Sequence, residues 1–309
     1  MSSQHLPKSS LLIFKKGEAL DTASTKSSVT SLMSSHDGTE VIYHCLKKGS
    51  RWGMSPNEDG TSTLEAVYII SGKIKVHTLN EDSFLEQGDY LSCQPVSEFL
   101  ILTAIEDAEF LYISSEPIFH FYSSDTKNLE NLAIEIEKKD GYTSEHCSRI
   151  RKLSMLVGEE FGLNSESLMK LNFGAFLHDI GKTEVPESIL LKPSRLNDDE
   201  WAIMKDHTKF GAAILRKTNI AHMVIAAEVV EQHHERYDGS GYPQGLKEDD
   251  ICVEAAIVGL VDSFDAMTSE RIYSKARSKE NALTEIKQLR GVKYHPDVVD
   301  CFLSIVEEI

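Results

Sequence analysis

The stretch that decides the fold of this chain is residues 233–243, HHERYDGSGYP. Its two histidines and glutamate close an apolar run, Val224 to Val230, whose hydrophobic side chains recur at helical spacing. The glycines and the proline that follow are typical of a turn-rich loop. The pattern therefore predicts a buried helix that carries His233 and His234 at its carboxyl end.

Other side chains with metal-binding chemistry occupy similar places in the second half of the chain. His178 and Asp179 close the apolar segment 173–177, and Asp262 follows the apolar segment 255–261. A buried, unpaired carboxylate is costly, so Asp262 requires a cation nearby. Each of these residues alone is more often an ordinary core residue, and so are His146 and His207. Together, five histidines and two aspartates at helix ends or on apolar faces predict a metal site.

Composition limits the partners of the protein. The chain has 309 residues, of which 41% are hydrophobic, and a formal net charge of −17. This length suits about two domains of ~150 residues, and the charge argues against DNA, RNA or an anionic membrane as partner. A metal ion or a local basic cluster can still make one pocket attractive to a small anion. No run approaches the ~20 apolar residues of a membrane span, and the first residues lack the apolar core of a signal peptide, so a cytoplasmic location is expected.

The hydrophobic pattern changes near residues 115–125. Before it, short β-type runs separated by turn residues predict an antiparallel barrel or sandwich. They are preceded by an expected edge strand at Leu11–Phe14 and a mobile loop from Thr22 to Gly38. After it, 3.6-residue spacing predicts helices to the end of the chain. One of these helices is expected over residues 198–218 and contains His207. Its apolar residues expected to face the core are Trp201, Ile203, Met204, Phe210 and Ile214.

Residues 125–309 resemble the HD-GYP phosphodiesterases, a branch of the HD metal-dependent phosphohydrolases. The resemblance rests on residues 178–182 (HDIGK), 190–193 (LLKP), 204–207 (MKDH), 233–243 and 262–268 (DSFDAMT), with Arg271. It implies a C-terminal all-α HD-type helical bundle with two divalent metal ions, iron or manganese. One ion would be bound by His146, His178, Asp179 and Asp262, and the other by Asp179, His207, His233 and His234. Some members bind a third ion through a glutamate four residues before the first histidine, where this chain has Tyr142.

The same resemblance implies hydrolysis of cyclic di-GMP to the linear dinucleotide pGpG, with further hydrolysis to GMP left open. Two ions a few Å apart lower the pKa of a bridging water, so that hydroxide exists at neutral pH. Two alternatives stay open: hydrolysis of 3′,3′-cyclic GMP-AMP, and a non-catalytic receptor for cyclic dinucleotides that acts through protein contacts.

Four further residues are candidates for substrate binding. Lys182 is placed to neutralise charge on phosphorus and is also counted with Asp179 as catalytic. Arg271 could hold a phosphate, and Lys275 lies one position past the place where the family commonly has a second basic residue. Both Lys182 and Arg271 could instead be surface cations. Tyr242 would border the pocket, or simply form the turn between two helices.

In the first half, residues 65–76 and 88–95 resemble the two motifs of cupin barrels. The histidines that bind metal in cupins are missing, so Glu65 is expected to be structural. The chain is therefore expected to be multidomain, with an N-terminal all-β cupin-like barrel at residues 1–118 that is regulatory or mediates dimerisation. A linker helix would follow at 119–140 and the HD-GYP catalytic domain at 141–309. Leu129, Leu132 and Ile136 share one face of the linker helix, which could pair with a second copy in a homodimer or pack on its own domain.

Overall fold

Short alternating runs in the first half of the chain form two antiparallel sheets. The computed structural model describes residues 13–25, 27–56, 63–119, 126–141, 145–218, 220–269 and 276–306. The strands are β1 (Asp21–Ser24), β2 (Ser28–His36), β3 (Thr39–Leu46), β4 (Arg51–Met54), β5 (Glu65–Ser71), β6 (Ile74–His77), β7 (Asp82–Leu85), β8 (Tyr90–Cys93), β9 (Leu100–Ala104) and β10 (Ala108–Ser114). One sheet has the order β1-β2-β3-β10-β5-β8 and the other β4-β9-β6-β7. Alternate side chains of β3 and β10 are buried, and with residues of both sheets they form the core of this half.

The second half is helical. Its helices are α1 (Thr126–Lys139), α2 (His146–Phe161), α3 (Ser165–Leu177), α4 (Glu187–Leu190), α5 (Asp198–Lys205), α6 (His207–Lys217), α7 (Ala221–Gln232), α8 (Val253–Thr268), α9 (Lys279–Gln288) and α10 (Pro296–Val306). The predicted fold class, an all-β N-terminal part followed by an all-α C-terminal part, is confirmed. Within the described ranges, no helix combines the length and apolarity needed to cross a membrane.

The expected mobile loop from Thr22 to Gly38 is wrong. Most of it forms β1 and β2, which pair with each other, while β2 also pairs with β3. The Ser- and Thr-rich sequence hid these strands because they lie at the edge of the sheet and bury few side chains. Thr30 is one that is buried, where its hydroxyl contacts the His44 ring. Of the expected edge strand, residues 11 and 12 lie outside the described ranges, and residues 13 and 14 are not in a strand.

The single helix expected over residues 198–218 is two helices. α5 ends at Lys205, and α6 begins at His207. Asn197 and Glu200 close the start of α5 by a reciprocal pair of side-chain to backbone hydrogen bonds. The expectation that Trp201 and Ile203 face the core is also wrong, because they are 46% and 39% exposed.

The two halves share a hydrophobic core. Ile101 of β9 is 2% exposed and belongs to the same cluster of buried side chains as Met169 of α3 and Val258 of α8. β4 lies so close to α3 that a Cβ on Gly53 would fall 2.1 Å from the Cε atom of Met169. The β-rich part is therefore packed directly against the helices.

This shared core predicts that a mutation in the sheet destabilises the helices. Ile101→Ala should lower the free energy of unfolding by about 2–4 kcal/mol, because it leaves a cavity against the helical core. The measurement is urea unfolding followed by circular dichroism at a helix wavelength. Ile105→Ala is the matched control, since Ile105 is 38% exposed and follows the same strand. A helical transition that Ile101→Ala leaves unchanged would show that the halves unfold independently.

Candidate metal centre

Four helix ends meet at one buried point. α2 begins at His146, α3 ends one residue before His178, α6 begins at His207, and α7 ends one residue before His233. These four histidines are at most 2% exposed, and Asp179 is 6% exposed. The apolar faces of the helices pack into the core, so their polar ends are brought together inside the protein.

The residues predicted to hold one ion form a tight group. Ligand atoms of Asp179, His207, His233 and His234 all lie within 4.8 Å of one another. The Oδ1 atom of Asp179 is 3.1 Å from Nε2 of His207 and 3.9 Å from Nε2 of His233. A carboxylate oxygen and imidazole nitrogens at such distances can bind a single divalent ion after small adjustments.

The residues predicted to hold the other ion lie beside this group, and the structure places Glu137, which was not predicted as a ligand, among them. Glu137, His146 and His178 form a second group with ligand atoms within 4.8 Å of one another. Asp262 Oδ1 is 3.7 Å from Nε2 of His146, and Asp179 Oδ2 is 3.3 Å from Nε2 of His178. The two oxygens of Asp179 thus face the two groups separately.

Backbone carbonyls orient three of the histidine rings. Nδ1 of His178, His207 and His233 lies 3.0, 2.8 and 2.8 Å from the carbonyl oxygen three residues earlier in the chain. A ring that donates from Nδ1 keeps Nε2 unprotonated and available to a metal. These three Nε2 atoms are buried and make no hydrogen bond to any described residue. The donor set therefore fits a divalent cation.

Glu137 gives a second test of this fit. Both carboxylate oxygens of Glu137 are buried without a hydrogen bond to any residue of the described ranges. Burial raises the pKa of Glu137 to about 8, against the opposing charge of Lys182. A bound cation would compensate the ionised carboxylate at this position.

The pKa shifts of the histidines differ between the two groups of candidate ligands. Burial, together with the neighbouring imidazoles, lowers the pKa of His233 and His234 well below the usual value, so both are neutral as metal ligands must be. Burial would also lower the pKa of His178, but the adjacent carboxylates, chiefly Asp179, outweigh it and raise the pKa to about 9. The carboxylates around His178 thus favour positive charge at this position, as they would favour a cation.

Lys182 is not a surface cation. It is 8% exposed, and its ammonium donates to Asp179 Oδ2 at 2.7 Å and to Asp140 at an even shorter distance. Burial would raise the pKa of Asp179, but Lys182 and His178 outweigh it and hold that pKa well below its usual range. Lys182 therefore keeps Asp179 ionised between the two groups of ligands.

Asp265 is a further residue that the sequence motif contained without a role. Its Oδ2 atom lies 2.8 Å from Nδ1 of His146, and its carboxylate accepts two hydrogen bonds from Arg149. Burial would raise the pKa of Asp265, but Arg149 and His146 hold it well below its usual range. Asp265 thus orients the ring of His146, as the backbone carbonyls orient those of His178, His207 and His233.

The turn that follows Asp179 needs a glycine. Residues 180–184 form a 3₁₀ turn that packs against the start of α6. A Cβ on Gly181 would lie 1.9 Å from the carbonyl oxygen of His207. Only glycine allows this approach, which brings His207 to Asp179.

A cleft opens beside the two groups. It has a volume of about 260 Å³, and its lining includes His233, His234, Asp262, Trp201 and Tyr242. The Tyr242 ring lies 4.8 Å from that of His234, so the predicted substrate residue Tyr242 is next to a predicted metal ligand. The predicted substrate residues Arg271 and Lys275, and Tyr142 as well, lie outside the described ranges.

A helical bundle that gathers buried imidazoles and carboxylates in this way is a helical domain whose donor set could hold divalent metal. The chain belongs to the HD domain family, which matches residues 130–298.

Two curated relatives are cyclic dinucleotide phosphodiesterases. The chain is 35% identical over 287 residues to "Cyclic di-GMP phosphodiesterase" of Thermotoga maritima. The aligned region covers 93% of this chain and 74% of that protein. It is 34% identical over 178 residues to "3'3'-cGAMP-specific phosphodiesterase 2" of Vibrio cholerae, covering 58% of this chain and 34% of that protein. Among solved structures, an RmlC-like cupin from Shewanella frigidimarina has a TM-score of 0.30 and 13% identity, covering 35% of this chain and 94% of the cupin.

Replacing Glu137 by glutamine tests whether this residue takes part in metal binding. Glu137→Gln should lower the bound divalent metal per chain after dialysis, measured by plasma mass spectrometry. In EDTA its unfolding temperature should equal or exceed that of the wild type, because without metal the buried carboxyl group makes no hydrogen bond to a described residue and burial opposes its ionisation. Glu135→Gln is the control, since Glu135 is exposed on the same helix. Full metal content in Glu137→Gln would exclude Glu137 as a ligand.

Asp265 should tune metal affinity without being a ligand. Asp265→Ala frees the His146 ring, and we expect Mn²⁺ to bind about 10- to 100-fold more weakly by calorimetry. Asp300→Ala serves for comparison, because Asp300 also pairs with an arginine, Arg290, but at the surface. Equal affinities in the two variants would assign Asp265 a purely structural role.

Proposed function

We propose that the protein is a metal-dependent phosphodiesterase of the HD-GYP type that hydrolyses cyclic di-GMP. The observation that carries the proposal is the buried carboxylate of Asp179, whose two oxygens face two separate groups of nitrogen and oxygen donors. The 35% identity to a cyclic di-GMP phosphodiesterase over 93% of the chain supports the proposal that cyclic di-GMP is the substrate.

The two groups would hold two divalent ions. Asp179, His207, His233 and His234 would bind one. His146, His178, Asp179 and Asp262, joined by Glu137, would bind the other. Imidazole and carboxylate donors without thiolate suit iron or manganese. When bound, the ions would supply Lewis acidity to a phosphoryl oxygen and lower the pKa of a water molecule.

The chain's own residues would hold the reacting groups in place. Asp179 stays ionised beside Lys182, and the second ammonium contact, with Asp140, restrains the lysine. That positive charge would also offset charge that builds up on the phosphoryl oxygens. The reaction adds one water to one phosphodiester: a P–O bond forms, the P–O3′ bond breaks, and O3′ takes up a proton. The product is linear pGpG, and the same step on the remaining diester would give GMP.

A cyclic GMP-AMP substrate is the second candidate. The identity to a 3′,3′-cGAMP-specific enzyme, 34%, is almost the same as that to the cyclic di-GMP enzyme, although it covers a shorter part of the chain. Both substrates present the same phosphodiester to the ions, so the distinction depends on contacts to one base.

The sheets would form the regulatory part of the enzyme. We place a cupin-like barrel at residues 1–118, a linker helix at 119–140 and the catalytic domain at 141–309. In the structure Leu129 and Ile136 of α1 pack within their own chain, whereas Leu132 is 38% exposed. A homodimer would therefore use the sheets or the exposed face of α1.

Turnover of both cyclic dinucleotides by protein loaded anaerobically with iron or manganese tests the proposal. We expect hydrolysis of cyclic di-GMP to pGpG by chromatography, and loss of both metal and turnover in Asp179→Ala, because this variant removes the carboxylate shared by both groups. Asp199→Ala is the control, an exposed aspartate in the first turn of α5. If fully loaded wild-type protein hydrolyses neither compound, the proposed enzymatic function is wrong. The result would then favour the alternative of a non-catalytic receptor for cyclic dinucleotides. Retained activity in Asp179→Ala would show that the active site has been assigned to the wrong residues.

A further inference from the structure

The cleft beside the candidate metal centre is also lined by the segment before α10. Its lining includes His233, His234 and Asp262, together with Lys293. The other basic residue in its described lining, Arg236, is exposed. Lys293 is half-buried, so it is the better enclosed of these two basic residues.

The backbone of Lys293 is fixed to the loop that follows the histidine pair. Its carbonyl oxygen accepts a hydrogen bond from the backbone N–H of Tyr237 at 3.2 Å, and that of Val292 accepts one from Asp238 at 2.9 Å. Residue 293 is therefore held in register with the chain that leaves His234. A side chain attached at such a point has a defined position relative to the metal ligands.

The side chain of Lys293 is tied to α8 as well. Its Nζ atom donates to Ser263 Oγ at 3.3 Å, and Ser263 directly follows Asp262. The ammonium also lies 5.0 Å from the centre of the Tyr294 ring. The loop that follows His234 and the helix α8, which carries Asp262, thus both hold Lys293 at the cleft.

This ammonium has no carboxylate partner among the described residues. Lys182, by contrast, is held by two carboxylates. Of the acidic residues that line the cleft, Glu235 is engaged by the backbone N–H groups of residues 244–246. An ammonium has three N–H donors, and the serine hydroxyl takes one, so donors remain for an anionic oxygen.

A cyclic dinucleotide carries two phosphodiesters, and only one can react at a time. The second brings a full negative charge into a protein of net charge −17. We propose that Lys293 binds this second, non-reacting phosphate and so selects substrates with two phosphodiesters over those with one. The inference rests on the proposed function and deepens it.

Two substrates that differ in the number of phosphodiesters test this role. Lys293→Ala should raise KM for cyclic di-GMP on the order of tenfold to a hundredfold, with kcat within about threefold, since a charge-assisted hydrogen bond to bound substrate is lost. Hydrolysis of bis(p-nitrophenyl) phosphate, which has one diester, should be unchanged. Lys293→Arg should retain most of the affinity, because it keeps the charge. Lys287→Ala, which removes an exposed lysine of α9, controls for the change in net charge.

The possible results distinguish a failure of the proposed role of Lys293 from a failure of the proposed phosphodiesterase function. If wild-type protein hydrolyses cyclic di-GMP and Lys293→Ala has the same KM, the inference is wrong and the function stands. An equal loss on both substrates also overturns the inference, because Lys293 would then act at the reacting phosphate or on the fold. If the wild type hydrolyses no cyclic dinucleotide, the proposed function fails and the inference fails with it.

Discussion

The carboxylate of Asp179, buried among imidazoles, is the constraint on which the helical half depends. It meets His178 and His207 from two helices and Lys182 from the turn that follows it. A charge in this position is tolerated only if each neighbour supplies compensating charge or a hydrogen bond. The ends of α3, α6 and α7 are therefore held in one arrangement by a polar contact as well as by their apolar faces.

The positions of the histidines at helix ends explain how the rings are orientated with so few side-chain partners. The last carbonyls of a helix have no partner within the helix, and one of them accepts the Nδ1 proton of His178 and another that of His233. His207 uses the end of α5 in the same way. His146 begins a helix, and its Nδ1 atom contacts the carboxylate of Asp265. The groups that orient these rings are thus mainly backbone carbonyls, which tolerate sequence change.

The sequence predicted the features that leave a strong local pattern. Apolar runs that end in histidine or aspartate indicated the helix ends near His178 and His233, and period-two runs indicated strands such as β3 and β10. The β1–β2 hairpin was missed because edge strands with polar faces lack that alternation. Glu137 was missed because it belongs to none of the motifs, although it lies four residues after Ala133 and next to Ile136, both buried. A glutamate on the buried face of a helix is the signal that would have identified it.

Contacts between the sheets and the helices could not be predicted from the sequence, because they join residues far apart in the chain and leave no local pattern. Arg51 at the start of β4 donates to Glu159 near the end of α2, and Ser55 just after β4 lies 3.4 Å from Nδ1 of His222 at the start of α7. His146 and His233 stand at the opposite ends of these same helices, on the order of 16–20 Å away at 1.5 Å per residue. A helix is stiff over that length, so the position of β4 helps to determine where the two imidazoles lie. The β-rich part therefore supports the metal centre mechanically without supplying it with a ligand from any described residue.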